Sequence, residues 1–99
     1  MKKFDLSLDS YRDQHGNTLL STAVQLGNKV VTELLLYQGA DPNIQNVSVP
    51  MIMLQAEGNA PLHYSIGHGY TKLTDLLMTY GANERIMNKE GRTPWDKFV

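Results

Sequence analysis

The sequence predicts an all-α solenoid: two full helix-turn-helix units stacked side by side, followed by half of a third. Three observations predict it. A glycine-led segment recurs as Gly16-Asn17-Thr18-Leu19-Leu20, Gly58-Asn59-Ala60-Pro61-Leu62 and Gly91-Arg92-Thr93-Pro94-Trp95. A later segment recurs as well, because Leu34-Leu35-Leu36 and Gly39-Ala40-Asp41 return as Leu76-Leu77-Met78 and Gly81-Ala82-Asn83. Between these glycines the apolar residues fall at helical spacing.

Residues 1–12 read as an extension or cap. Phe4, Leu6 and Leu8 alternate there and can cover the exposed face of the first unit. Residues 13–45 form that unit. Thr18 is placed to cap its first helix, because a side-chain hydroxyl satisfies a backbone N–H that has no partner inside the helix. Leu20, Ala23 and Val24 make the apolar stripe. Gly27 marks the turn, Val30, Val31, Leu34 and Leu35 make the stripe of the second helix, and Gly39 ends it where a positive φ is usual. All four of those second-helix residues are expected in the core.

The second unit, residues 55–87, repeats this plan. Pro61 stands at the first helical position, where its fixed φ suits the helix and no donor is missed. Leu62, Ser65 and Ile66 form one stripe; Leu73, Leu76 and Leu77 form the other. Ala23 and Ser65 are small enough for neighbouring helices to approach. Residues 88–99 supply a half unit, with Thr93 as cap and a helix from Pro94. Trp95 and Phe98 either fold back to close the stack or belong to a longer array.

The second and third glycine-led segments are offset by 33 residues, the first and second by 42. Nine extra residues therefore lie between the two full units, placed at 46–54. A period of 33 residues with two helices and a turn resembles the ankyrin repeat. Asp13, Gly16, Thr18, Leu20, Ala23, Gly27, Leu35, Gly39, Ala40, Asp41 and Asn43 match its pattern in the first unit. Gly58, Pro61, Leu62, His63, Gly69, Leu73, Leu77, Gly81 and Ala82 match in the second, and Gly91, Thr93 and Pro94 in the third. Leu19 and Ser21 depart from the usual Pro and His, and Ala60 from the capping Thr, which points to modest stability.

The resemblance implies a non-catalytic module that binds a protein or peptide through its turn tips and the exposed face of its first helices. Carried onto this chain, the contacts are Gln14, His15 and Asn17 with Gln25 and Leu26, then Glu57 and Asn59 with His68, then Lys89 and Arg92. His63 occupies the family's structural histidine position, bridging repeats. A larger regulatory or scaffolding assembly is the expected setting, inside the cell.

The insertion is unusually apolar for a loop, with Val47, Val49, Met51, Ile52, Met53 and Leu54. It folds over the first unit, touches a partner through Met51, Ile52 and Met53, or pairs with another copy. Self-assembly through this segment and the Trp95–Phe98 end is the alternative function.

Other classes have little support. No cysteine is present, which removes disulfide scaffolds, thiolate metal sites and thiol catalysis. Nine basic and ten acidic residues, interspersed, give a net charge of −1. A duplex binder needs a basic face, so direct nucleic-acid binding is not expected. His63 and His68 lie five apart with no carboxylate pair, so no metal is expected. No nucleophile elbow and no glycine-rich phosphate loop occurs, so neither enzyme activity nor a cofactor or small-molecule substrate is expected. Met1-Lys2-Lys3 leads into Asp5 and Asp9 with no apolar run, which does not read as a secretory signal. No stretch reads as a membrane span.

Overall fold

Thr18 has an extended backbone, and its hydroxyl accepts the Ser21 N–H at 3.1 Å, which starts a helix where the sequence places one. In the computed structural model, residues 6–46 and 58–96 are described, and five helices lie among them: α1 Leu6–Ser10, α2 Leu19–Gln25, α3 Lys29–Tyr37, α4 Pro61–Gly67 and α5 Thr71–Thr79. No strand occurs among the described residues. The insertion's Met51, Ile52 and Met53, together with Glu57, Phe4 and Phe98, lie outside them.

The first unit is the α2–α3 pair. Gly27 turns the chain between the helices with φ +71°, and Asn28 then caps α3 by accepting the Val31 N–H at 3.1 Å. A side chain at Gly27 would lie 3.1 Å from the ring of Tyr70 in the next unit, so glycine is required twice over. The second unit is the α4–α5 pair. Ala60 gives α4 no side-chain cap. Instead the His63 ring reaches back to the Ala60 N–H at 3.0 Å.

Helices of one unit pack on the matching helices of the next, α2 on α4 and α3 on α5. Leu20, Val24, Leu36 and Ala40 meet Leu62, Leu77 and Ala82 in one continuous core, with Leu35, Tyr64, Ile66, Leu76 and Met78 around it. Each fully buried leucine contributes about 2 kcal/mol relative to exposure. Neither helix pair could hide its own stripe alone, and stacking does so.

Three of the second-helix residues expected in the core are exposed. Val30 is 77%, Val31 39% and Leu34 55% accessible, and Leu35 is half-buried. The inward face of α3 is formed by Thr32 and Leu36. The matching position to Val31 in the second unit is Leu73, only 3% exposed because the first unit lies on it. Periodicity finds an apolar stripe but not the neighbour that covers it. No second helix pair precedes α2 among the described residues, so the corresponding face of the first unit stays open. It forms a cavity of about 430 Å³ lined by Tyr11, Leu19, Leu26, Val31 and Leu35.

The half unit differs from expectation too. Thr93 to Asp96 form a single turn, in which the Asp96 carboxylate accepts the Thr93 N–H at 2.8 Å, and the described residues show no helix after α5. One turn without a packing partner gains too few hydrogen bonds to offset the entropy of nucleation. Trp95 remains half exposed, and its indole N–H donates to Glu84 at 2.9 Å.

Candidate protein-binding surface

Three finger turns are closed by one repeating device. In the first, the Asp13 N–H donates to the Asn17 carbonyl at 3.0 Å, and the Asp13 carboxylate accepts the Asn17 and His15 N–H groups at 2.9 Å each. In the second, the Asn46 N–H donates to the Asn59 carbonyl and the Asn46 side-chain oxygen accepts the Asn59 N–H, both at 2.8 Å. In the third, Asn88 makes the same pair of bonds with Arg92, at 2.9 and 3.0 Å. Asp13, Asn46 and Asn88 are therefore equivalent.

That register corrects the insertion's start. Asn46 belongs to the scaffold, 4% exposed, and the additional residues lie inside the second finger between Asn46 and Asn59. The base at Asn46 and Asn59 is closed in the same way as in the other two fingers. Shape and length at a tip can vary this way because the paired backbone beneath is already satisfied.

A chain of side-chain amides links the fingers. Asn17 donates to Asp13 at 3.3 Å, Asn46 to Asn17 at 3.1 Å, and Asn88 to Asn59 at 3.0 Å. The Tyr64 hydroxyl accepts from both Asn46 and Asn59. A second row runs beside it: Arg12 bonds the Gly16 and Gln45 carbonyls, and Gln45 bonds those of Gly58 and Met87. Each finger is thereby held to the next. Asn17 and Asn59, expected to touch a partner, are both only 8% exposed and fully engaged in this ladder. They position the tips from below, because an amide that both donates and accepts is what an inward rung requires.

The other expected contact residues divide by location. Gln14 is exposed beside half-buried His15, whose Nδ1 has no partner among the described residues. Gln25 is half-buried and donates to Ser21 at 3.3 Å. Leu26 is well exposed, but it lines the open end of the first unit with Tyr11 and Val31. His68 is exposed and stacks on Tyr70 with ring centres 5.1 Å apart. Lys89 stands on the third tip, its backbone packed close to Gly58. Arg92 is half-buried; its guanidinium pairs with Glu90 and its carbonyl accepts from His63.

Arg92 also helps line a cleft of about 410 Å³ between α4 and the third finger, together with His63, Ile66, Glu90, Pro94 and Asp96. Ile66 and Asp96 were not expected there. Ile66 reads as core in an apolar stripe, yet no helix among the described residues lies over it and it is half-buried. Nothing in the local pattern distinguishes Asp96 from an ordinary surface carboxylate.

The Asp13 carboxyl lies below its ordinary value. Burial raises it, but the N–H groups of Asn17 and His15, the Asn17 amide and the nearby His15 outweigh burial by stabilising the anion.

Residues 15–47 and 57–89, two thirds of the chain, match the ankyrin repeat. The chain is 33% identical over 84 residues to an ankyrin repeat-containing protein of Treponema pallidum, covering 85% of this chain and 25% of that protein. It is 31% identical over 103 residues to an ankyrin repeat protein of Rickettsia felis, covering 96% and 41%. An ADP-ribosylation factor GTPase-activating protein of Arabidopsis thaliana is 36% identical over 76 residues, covering 77% of this chain but 9% of that one. The chain thus spans a quarter to two fifths of the first two relatives. On the recurring finger geometry, the stacked helix pairs and these matches together, the chain belongs to the ankyrin repeat family.

Proposed function

We propose that this chain is a non-catalytic recognition module that holds a segment of a partner protein along the finger tips and the cleft beside α4, within a larger regulatory or scaffolding assembly. Ankyrin repeats generally mediate protein–protein interaction, and they are generally non-catalytic even where a relative is named as a GTPase-activating protein. The observation that carries the reading is the amide ladder from Asp13 to Asn88, which ties the bases of three fingers together in register. A preordered surface loses less conformational entropy on binding.

Above that ladder lie Gln14 and His68 on the rim, and half-buried Ile66 with Glu90 and Asp96 around the cleft; Glu90 pairs with Arg92 and Asp96 caps Thr93, yet both carboxylates are exposed. An apolar floor with charged edges suits an extended peptide with one apolar anchor and a basic flank.

Selection of a displayed peptide library on the immobilised chain tests this. Selected peptides should bind a His68→Ala, Glu90→Ala, Asp96→Ala variant at least about tenfold more weakly, while Lys72→Ala, on the opposite helix layer, changes nothing. Absence of enriched peptides, or equal loss at Lys72, overturns the reading.

A further inference from the structure

Helix α3 is apolar around more of its circumference than the stack uses. Thr32 and Leu36 are buried on its inward side, Leu36 within the shared core. Val30, Leu34 and Tyr37 follow one another at intervals of four and three, and so share another stripe. Val30 and Tyr37 are about three-quarters exposed, and Val31 widens the stripe. A helix apolar on nearly every side is ordinarily covered. The described residues leave this one open.

The second unit provides an internal control. Forty-two residues on, Val30 corresponds to Lys72 and Tyr37 to Thr79, both exposed. The fold itself makes no demand for an apolar side chain at either position. Val30, Leu34, Tyr37 and Tyr80 instead surround a shallow depression of about 400 Å³, in which the single charged lining residue is Glu33. Glu33 is paired with Lys29 at 3.6 Å.

We propose that this face of α3 is where two copies of the chain associate, α3 lying against α3 about a twofold axis near Leu34. Charge favours a second copy over a different partner. The strip has no unpaired charge for a foreign surface to complement, and a chain of net charge −1 is repelled little by its own copy. Area agrees. A stable dimer buries about 800 Å² on each side. Large aromatics present roughly 150–250 Å² each when fully open. Tyr37 is three-quarters open and Tyr80 about a third, so with Val30, Val31 and Leu34 the apolar strip supplies the larger part of that area, and the polar rim of Lys29, Glu33 and Gln38 supplies the rest. The surface shares no residue with the cleft at His63 and Arg92, so both copies keep their recognition face free.

Sedimentation equilibrium of the full 99-residue chain tests the proposal. The mass should rise from one chain toward two between micromolar and near-millimolar concentration. A Val30→Lys, Tyr37→Thr variant carries the residues the second unit already tolerates. It should melt as a folded protein and dissociate at least about tenfold more readily. Because the chain has no cysteine, Leu34→Cys gives an independent readout. Under oxidation it should form a disulfide-linked dimer, whereas Gln14→Cys on the first finger should not. A single-chain mass at every concentration, unchanged association in the double variant, or equal cross-linking at both cysteines overturns it.

Discussion

His63 and Arg92 join two repeats through one imidazole: Nε2 lies 2.8 Å from the Arg92 carbonyl while Nδ1 accepts the Ala60 N–H at 3.0 Å. A backbone N–H can only donate and a carbonyl can only accept. The ring is therefore the neutral tautomer with its proton on Nε2.

Replacing His63 removes the helix-start contact and the bond to the third finger together. His63→Ala should lower stability by about 2 kcal/mol, since it leaves the Ala60 N–H and the Arg92 carbonyl without this partner. Urea titration followed by far-ultraviolet circular dichroism measures it. A loss below a few tenths would show that water replaces both bonds freely.

Thr32 is fully buried on the inward side of α3, and its hydroxyl has no partner among the described residues. Valine has nearly the same shape and no polar atom to desolvate. Thr32→Val should stabilise the chain by about 1 kcal/mol, seen as a higher midpoint in the same titration. A lower midpoint would mean that the hydroxyl is bonded in solution.

Gly27→Ala combines a left-handed backbone with a close approach to the Tyr70 ring. The expected cost is about 1–2 kcal/mol for the backbone alone. Pairing it with Tyr70→Ala should recover part of the loss, because only the steric share depends on the ring. A double-mutant cycle with no coupling would place the whole effect in the backbone.

Asp13 is the acid-sensitive rung. Its folded pKa lies below the ordinary value of 3.8, so its contribution is present above that value and is lost as the pH falls through the lower, folded one. Asn46 and Asn88 fill the same position in the other fingers, so Asp13→Asn should keep the turn and lose part of the acid sensitivity. Thermal melts of both proteins from neutral pH to values below 3.8 should draw together as Asp13 takes up its proton. Parallel curves would assign the acid response to other groups.

The family and the helix pairs were legible because they depend on short-range rules. Thr18, Pro61, Gly27 and Gly39 act within one turn of the chain, and their types state what they do there. His63 could be placed from its position in the repeat. The candidate surface was less legible. Gln14, Asn17 and Asn59 are all polar residues near a glycine, yet Gln14 points out and the two asparagines point in. Only the neighbouring finger, 29 residues away at Asn46 and again at Asn88, decides which amide finds a partner.

By itself the sequence determined the repeat, its period, the helix boundaries near the caps and glycines, and the additional residues between the two full units. The tertiary structure decided which apolar stripes are covered, since Leu73 and Val31 hold the same place in their units but only Leu73 has a unit lying on it. It also placed Asn46 at the base of a finger and opened the cleft over Ile66. The physical reason is that caps and turns are satisfied by neighbours in sequence, whereas burial is satisfied by neighbours in space.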